Sequence, residues 1–288
     1  MTDPRIAALP CWDGTIAVTR LSGGLSNEIW KVTDDTGAHV VRFGADYPFH
    51  HVDRAREAMT ARAAAEAGFA PAVEYTAPGV MVTAFVTAHT WGAADLCADP
   101  ERVGALLHRF HTEMPARIAG AAFLFWPFHV IRDYLRQLGP DAPPGHAALN
   151  AALEATQPPL PLVFGHNDLL PANFLDDGKR LWLIDYEYAG FGTCLFDLAG
   201  AASNAGMDEP QALALLTAYL GHAPDAAFLR AFDAMQVASL LRETLWANIS
   251  ARHLSAPGVN YAAYAAENAE KLALSQEFYS SRHGKIAP

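Results

Sequence analysis

The sequence predicts an α+β protein in two lobes, a small strand-rich N-terminal lobe with one helix and a larger, mainly helical C-terminal lobe. Two observations predict this fold class. Short runs of β-branched or aromatic residues alternate with turn signals over roughly the first 85 residues. From about Ala93 onward the segments are typical of helices, and one short strand-like island interrupts them. We therefore expect lobes at residues 1–87 and 88–288, with a cleft between them.

Strands and one helix account for the first lobe. Turn signals such as GG and DDTG separate four runs that predict strands, which are IAVTRL, EIWKVTD, HVVRFG and VMVTAFV. Between the third and fourth runs, the alanine-rich segment VDRAREAMTARAAAEAG favours a helix. Gly68 and Pro71 would end this helix.

Helical segments dominate the second lobe. They are PERVGALLHRFHTEM, PFHVIRDYLRQL, HAALNAALEAT, EPQALALLTAYL, AAFLRAFDAMQVASLLRETLWANISARHL and NYAAYAAENAEKLALSQEFYSS. The island between Leu162 and Asp185 contains the strand-like runs LVFGHND and RLWLIDYE. A catalytic loop between two such strands would face the cleft that we expect between the lobes.

Composition excludes several classes of function. No apolar run reaches the roughly 18 to 20 residues of a membrane span, and the N-terminus lacks the pattern of a signal peptide, so we expect a cytoplasmic protein. The formal net charge is 20 − 31 = −11. The basic residues are scattered, which argues against a nucleic-acid partner, whereas an acidic surface suits a cationic ligand. Cys11, Cys97 and Cys194 lack the spacing of a zinc site or a disulfide framework.

Three polar residues of the island have the character of a phosphoryl-transfer site. Asp168 and Asn173 lie on an expected loop, and Asp185 follows the second strand. Phosphoryl transfer needs a carboxylate that orients the attacking hydroxyl and oxygen ligands for Mg²⁺. Asp168 can be the base, Asn173 a neutral metal ligand and Asp185 the main charged ligand. For each residue alone, the alternative is a side chain that caps a turn. We expect His166 to hold the loop by hydrogen bonding rather than to perform chemistry.

The segments HNDLLPANFL and LIDYEYAGFGTCLFDLA resemble the choline/ethanolamine kinase branch of the aminoglycoside-phosphotransferase-like kinases. The similarity runs from about residue 21 to residue 268. It implies a protein-kinase-like two-lobed fold, the use of ATP with Mg²⁺, and phosphorylation of the hydroxyl of choline or ethanolamine. On this resemblance the base falls on Asp168 and the metal ligands on Asn173 and Asp185. Asp197 matches a family aspartate that we expect to brace the catalytic loop.

The nucleotide-binding residues are expected in the first lobe. The loop LSGGLSN matches neither generic phosphate-binding motif, and a plain hairpin turn is the alternative. The resemblance assigns four of its residues to the phosphates: Gly23, Gly24, Ser26 and Asn27. Arg42 stands where most kinases carry lysine, and its guanidinium suits phosphate oxygens. We expect Glu57 to be the ion-pair partner of Arg42, with Glu66 as a rival candidate. The alternative is that Arg42 and Glu57 are surface charges. MVTAFV resembles the hinge between the lobes, where backbone groups from Ala84 to Val86 would contact adenine.

Aromatic and acidic residues are expected around the acceptor. Glu187 and Tyr188 follow closely after the expected metal ligand Asp185. This position should place both residues at the cleft where the acceptor would bind. The resemblance adds three aromatic residues of the late helices, Trp246, Tyr261 and Tyr264, for which core packing is the alternative. Aromatic faces bind quaternary ammonium groups by cation–π contacts. Choline kinases often carry two tryptophans three residues apart, and Glu243 occupies the earlier position here. A box with one tryptophan and one extra acid favours a primary or secondary amine over trimethylammonium.

Three functions remain open at this stage. The first is an active kinase of choline, ethanolamine or a related amino alcohol, and the retained base and metal ligands favour it. The second is a kinase of another small acceptor, such as an aminoglycoside, thiamine or a sugar. The third is a kinase-like protein that binds nucleotide or metabolite without catalysis. The sequence leaves a homodimer and the choice between ATP and GTP open.

Overall fold

The structure is a computed structural model that describes residues 3–21, 27–121, 123–255 and 258–286. The chain folds into two compact units. The first consists of Met1–His89 and Leu175–Glu187, and the second of Thr90–Phe174 and Tyr188–Pro288. The segment from residue 175 to residue 187 joins the first unit, where the Leu183 N–H donates a 2.8 Å hydrogen bond to the Phe69 carbonyl. The expected lobe boundary after residue 87 stays a prediction.

An antiparallel sheet dominates the described part of the first unit. Its elements are α1 (Pro4–Ala7), β1 (Ala17–Arg20), β2 (Glu28–Thr33), β3 (Ala38–Phe43), α2 (Arg54–Glu66), β4 (Val73–Ala77) and β5 (Val80–Ala84). The strand order is β1-β2-β3-β5-β4. Val41 of the central strand β3 is fully buried in a cluster with Ile6, Val32 and Val82. Because successive side chains of a strand point to opposite faces, Arg42 lies on the other face of the sheet.

Helix α2 brings a glutamate into the interior of the first unit. Asp53 caps the helix, and its side chain accepts a hydrogen bond from the Arg56 N–H at 2.9 Å. Glu57 lies in the first turn, where the helix dipole favours a carboxylate. The small residues Ala61 and Ala64 are buried, which allows the helix to pack closely. The Glu57 side chain is consequently buried with almost no exposure.

Five short strands lie within the island or pair with its strands. They are β6 (His89–Thr90), β7 (Val163–Gly165), β8 (Phe174–Asp176), β9 (Leu181–Leu183) and β10 (Gly190–Gly192). Strands β7 and β10 form an antiparallel pair, and the other three form a sheet of order β6-β8-β9. Asp168 lies on the loop between β7 and β8, and Asp185 lies two residues after β9. Each predicted catalytic carboxylate therefore follows a short strand.

Helices make up most of the second unit. They are α3 (Ala93–Ala98), α4 (Pro100–Glu113), α5 (Pro127–Leu138), α6 (His146–Glu154), α7 (Cys194–Ala205), α8 (Glu209–Leu220), α9 (Ala226–His253) and α10 (Tyr261–His283). The middle of α9 is buried on all sides, as expected of a helix that forms the centre of a core. None of the helices in the described ranges is both long enough and apolar enough to cross a membrane.

The predicted fold class is confirmed, and each strand and helix named from the sequence is present. Three elements of five or more residues were missed, namely β4, α3 and α7. Strand β4 begins two residues after Pro71 and has an irregular register between Val73 and Tyr75, so it lacks a clean alternation. Helix α7 is buried around most of its circumference, so it has no polar face from which a helical period could be recognised.

Candidate active site

Arg42 joins two acids in the first unit. Its Nη1 donates a 2.8 Å hydrogen bond to Asp185 Oδ1, and its Nη2 pairs with Glu57 Oε1. The expected ion pair with Glu57 is therefore present, whereas the rival Glu66 is exposed at the end of α2. Asp185 has a φ of 70°, in the left-handed region that non-glycine residues rarely adopt. Such backbone strain concentrates at functional sites.

A second arginine, which the sequence analysis did not single out, completes this charge cluster. Arg54 Nη1 lies 2.7 Å from Glu57 Oε2 and 2.7 Å from Glu187 Oε2. Its Nη2 donates to Asn27 Oδ1 at 2.9 Å. The available signal was its position three residues before Glu57, the spacing at which helical side chains meet. The cluster thus contains two arginines and three carboxylates, the third being that of Asp185.

The carboxyl groups of Glu187 and Asp185 have raised pKa values. Burial raises the pKa of Glu187 to about 7, and Asp185 adds to the shift while Arg54 opposes it. Burial also raises the pKa of Asp185, although Arg42 opposes the change. A bound cation would stabilise the ionised forms. Glu187 was expected at the acceptor, but here its carboxylate pairs with Arg54, and its contact with an acceptor stays a prediction.

The predicted base and the neutral metal ligand share one loop in the second unit. Asn173 ends the short 3₁₀ turn Pro171–Asn173, and its Nδ2 donates a 2.8 Å hydrogen bond to the backbone carbonyl of Asp168. This bond commits the amide nitrogen and leaves the amide oxygen Oδ1 as a hard donor for a cation. The Asp168 side chain keeps 14% of its surface exposed, so a substrate hydroxyl can reach it.

Asp197 of α7 holds the residues that precede Asp168. Its Oδ2 accepts a hydrogen bond from the His166 N–H at 2.7 Å, and its Oδ1 accepts one from the Asn167 N–H at 2.6 Å. His111 Nε2 lies 2.8 Å from the same Oδ2. Burial opposes ionisation of Asp197, but the hydrogen bonds from His111 and His166 outweigh burial and lower its pKa.

Asn167 is a further loop residue that the sequence analysis missed. Its φ of 63° is left-handed, a conformation that asparagine tolerates better than most residues. Its Nδ2 donates to the Tyr188 carbonyl at 3.1 Å and lies within 3.4 Å of the Gly190 carbonyl. A Cβ atom on Gly165 would lie only 2.9 Å from Asn167 Oδ1, so glycine is needed there. His166, expected to support the loop, takes part through its backbone N–H.

The four aromatic residues predicted for the acceptor come together in the second unit. Trp246 Nε1 donates a 2.8 Å hydrogen bond to the hydroxyl of Tyr188. The Trp246 ring meets the rings of Tyr261 and Tyr264 edge to face, with centroids 6.1 Å and 6.2 Å away. Edge-to-face pairs at such distances are favourable. We name Tyr188, Trp246, Tyr261 and Tyr264 the aromatic cluster.

A buried ion pair on α9 adjoins the aromatic cluster. Arg242 Nη1 donates to Glu243 Oε2 at 2.8 Å and lies 4.0 Å from Asp168 Oδ1. Its guanidinium carbon lies 4.4 Å from the centroid of the Tyr188 ring. The Tyr264 hydroxyl donates to Glu243 Oε1 at 2.8 Å. The sequence analysis noted Glu243 but not Arg242, although an arginine inside a buried apolar helix was the available signal.

The nucleotide contacts expected in the first unit stay predictions. Gly23, Gly24 and Ser26 lie outside the described residues. Asn27 is described and accepts the hydrogen bond from Arg54. Ala84 ends β5, and its N–H donates to the Ala72 carbonyl at 2.9 Å, so this N–H is already used within the sheet. Val86 follows two residues later, at the expected hinge.

A central strand arginine paired with a helix glutamate, and an Asp-Asn loop after a short strand, together define the class of the protein. It has the protein-kinase-like fold of small-molecule phosphotransferases. The sequence model of the Phosphotransferase enzyme family matches residues 17–232. The chain belongs to that family, as the resemblance implied.

Solved structures agree with this assignment. A choline/ethanolamine kinase family protein from Mesorhizobium loti is 30% identical, with a TM-score of 0.76 over 95% of this chain and 93% of the other. The choline kinase LicA from Streptococcus pneumoniae is 17% identical, with a TM-score of 0.73 over 90% of this chain and 93% of the other. A LicA structure in complex with AMP superposes with the same TM-score, 0.73. At such low identity the LicA structures show the fold alone.

A curated relative points the same way. A probable ethanolamine kinase from Arabidopsis thaliana is 27% identical over 208 residues, which are 65% of this chain. The aligned region spans about half, 55%, of that relative's length. The relatives and structural neighbours of the chain are small-molecule kinases, as the sequence analysis expected.

Proposed function

We propose that the protein is an ATP- and Mg²⁺-dependent phosphotransferase that acts on the hydroxyl of a small amino alcohol such as choline or ethanolamine. The observation that carries the proposal is the position of Arg42, whose guanidinium pairs with Glu57 and Asp185 at once. A guanidinium held in this way has a fixed orientation for phosphate oxygens. ATP as the donor is supported by the AMP bound in the LicA structure.

The chain offers ligands that fit Mg²⁺. Magnesium prefers hard oxygen donors and usually takes only one or two carboxylates from the protein. Asn173 offers an amide oxygen and Asp185 a carboxylate. Burial raises the pKa of Asp185, and a bound cation would favour its ionised form. When bound, the metal ion would neutralise charge on the phosphates. We assign Asn173 and Asp185 to this ion.

Asp168 is assigned the role of the base. Its carboxylate would accept a hydrogen bond from the acceptor hydroxyl and take the proton as the phosphoryl group is transferred. Positioning matters as much as basicity here, because small displacements in such a site cost large factors in rate. The bonds from Asn173 to the Asp168 carbonyl, and from His166 and Asn167 to Asp197, provide that positioning.

The aromatic cluster is assigned to the ammonium end of the acceptor. Tyrosine and tryptophan rings attract cations through their faces, and each contact contributes roughly 0.5 to 2 kcal/mol. Trp246 is anchored by its hydrogen bond to Tyr188, so the two rings are held in a fixed geometry. We place this chemistry in the cytoplasm, where the sequence analysis expected the protein and where ATP is supplied.

A panel of acceptors tests the proposal. Purified protein with Mg·ATP would be assayed for nucleotide consumption against choline, ethanolamine, thiamine, an aminoglycoside and a sugar without an amine, side by side. We expect acceptor-dependent turnover with choline or ethanolamine to exceed that with the other three. Preference for the aminoglycoside or for the neutral sugar would contradict the amino alcohol assignment. Nucleotide-induced thermal stabilisation without turnover of any acceptor would indicate a binding protein instead of an enzyme.

A further inference from the structure

The acceptor side of the second unit already contains a cation of its own. The Arg242 guanidinium lies over the Tyr188 ring, 4.4 Å from its centroid, and is buried with 4% of the side chain exposed. This is the position that a bound quaternary ammonium would take on an aromatic face. A second cation at the Tyr188 face would therefore meet like charge.

Arg242 also cancels the charge of the neighbouring acid. Glu243 accepts one hydrogen bond from Arg242 Nη1 and one from the Tyr264 hydroxyl, each at 2.8 Å. The pair has no net charge, so it does not attract a cation at long range. A carboxylate has about four lone-pair positions, however, and these two donors leave room for another N–H. Glu243 can thus receive a hydrogen bond from an ammonium that donates one.

Stability alone does not explain this arginine. Nε and Nη2 of Arg242 have no hydrogen-bond partner within the described residues, although both atoms are buried. Burying a charged group without its full set of hydrogen bonds is costly, and apolar replacements of buried ion pairs often fold as well or better. The position of Arg242, 4.0 Å from the carboxylate of the predicted base Asp168, points to a role at the acceptor.

We propose that the Arg242–Glu243 pair selects amino alcohols whose ammonium group carries an N–H donor over those with a quaternary ammonium. This inference rests on the proposed function. A primary ammonium can donate an N–H hydrogen bond to Glu243, so it can bind beside this pair although the pair carries no net charge. A quaternary ammonium has no N–H to donate and depends on aromatic faces and uncompensated negative charge, both of which Arg242 reduces. Arg242 is therefore a specificity-determining residue.

A methylation series measures the selectivity directly. The wild-type protein would be assayed with ethanolamine, N-methylethanolamine, N,N-dimethylethanolamine and choline under saturating Mg·ATP. We expect kcat/KM to fall from ethanolamine to choline by about tenfold or more, the size of discrimination that one pocket contact can supply. The largest single step should be the last one, because the final methyl group removes the last N–H donor. Equal or better turnover of choline would overturn this inference and leave the proposed function intact.

Variants then assign the selectivity to the pair. Arg242→Met should move the ratio of ethanolamine to choline toward choline by about tenfold, whereas Arg242→Lys, which keeps the charge, should retain most of the preference. The double variant Arg242→Met/Glu243→Gln leaves the net charge of the pair unchanged. It replaces the single variant in the assay if Arg242→Met does not fold. Arg252→Met is the matched control, because Arg252 lies on the same helix and binds carbonyls of α5 and Asp141 instead.

The outcomes separate the two proposals. An unchanged ratio in the folded variants would overturn the role of Arg242 while ethanolamine turnover still supports the enzyme. Turnover of none of the four acceptors by the wild-type protein would contradict both proposals together. A shift of the ratio by Arg252→Met as large as that by Arg242→Met would show a general effect of α9 packing and would also overturn the assignment.

Discussion

Arg42 Nη1 lies 2.8 Å from Asp185 Oδ1, although 143 positions separate the two residues in the chain. The same guanidinium pairs with Glu57, so one side chain orients two acids from distant segments. Arg42 and Asp185 both belong to the first unit. The segment that carries Asp185 is held there by the pairing of β8 and β9 and by the hydrogen bond from the Leu183 N–H to the Phe69 carbonyl. This triad links the residue that we propose to bind phosphate, Arg42, to a predicted metal ligand, Asp185.

Replacing Arg42 should disable phosphate binding. We expect Arg42→Met to lower kcat/KM for ATP by about 10²- to 10³-fold, as removal of a preorganised donor does in other enzymes. Initial rates across a range of ATP concentrations would measure the loss. Arg62→Met on the exposed side of α2 is the control, with an expected change of less than about threefold because surface substitutions rarely disturb a site. Wild-type kinetics in a folded Arg42→Met protein would exclude a role for this arginine.

Asn173 should set the magnesium requirement. Asn173→Ala removes an oxygen donor and should raise the half-saturating Mg²⁺ concentration by about 10- to 100-fold, while Asn173→Asp, which keeps an oxygen, should raise it less. The measurement is a Mg²⁺ titration of the rate after removal of metal with a chelator, which should itself abolish activity. Asn204→Ala is a close control, since Asn204 also donates to a carbonyl of this loop, that of Leu169 at 3.2 Å. Equal requirements in the Asn173 and Asn204 variants would contradict the metal assignment.

Asp197 should stabilise the fold as well as the loop. Asp197→Ala leaves the N–H groups of His166 and Asn167 buried without their acceptor, and it removes the partner of His111 Nε2. We expect the free energy of unfolding to fall by about 3 to 5 kcal/mol, the usual effect of breaking a buried network. Denaturant titration would measure it. Asp141→Ala, whose side chain is 75% exposed, should change stability by less than about 0.5 kcal/mol. Similar losses in both variants would contradict the bracing role.

His39 should make stability depend on pH. Burial opposes protonation of His39, but the hydrogen bonds to Asp34 and Glu74, at 3.0 Å and 2.6 Å, outweigh it and raise the pKa. The folded state therefore binds this proton more tightly than the unfolded state, so stability is fully present below the unfolded pKa and falls as pH rises through the folded pKa. The free-energy difference between the wild-type protein and His39→Gln should be larger at acidic than at alkaline pH.

The control for this pH effect is His222→Gln, because His222 is exposed and its ring contacts the backbone carbonyl of the neighbouring Ala223. Unfolding curves of both variants and the wild-type protein would be recorded at several pH values from acidic to alkaline. A constant difference between the wild-type protein and His39→Gln over that range would show that the His39 pKa is not raised.

The order of Asp168, Asn173 and Asp185 between two apolar runs was sufficient to predict a catalytic island, because each residue type has a defined part in phosphoryl transfer. Arg42 was predictable for the same reason, as was its partner in the first turn of the following helix. Each of these features could be predicted from the local sequence, because the strand runs, the loop residues and the charged residues are recognisable in it.

Arg54, Asn167 and Arg242 were not singled out from the sequence, because their roles depend largely on tertiary contacts. Arg54 meets Glu187 across 133 positions, and Asn167 adopts a left-handed backbone to reach carbonyls near β10. Arg242 lies within a helix whose middle is buried, so its contacts with Tyr188 and Asp168 follow from packing and not from a local pattern. Gly23, Gly24 and Ser26 stay predictions, since they lie outside the described residues.

We propose above all that Asp168 directs the transfer of a phosphoryl group to an amino alcohol. The most direct measurement is ³¹P NMR of a reaction that contains protein, Mg·ATP and ethanolamine or choline, run in parallel with Asp168→Ala. We expect a phosphomonoester signal and ADP from the wild-type protein, with the rate reduced about 10²- to 10⁴-fold by Asp168→Ala. Hydrolysis of ATP without a phosphorylated acceptor, or an undiminished rate in folded Asp168→Ala, would contradict it.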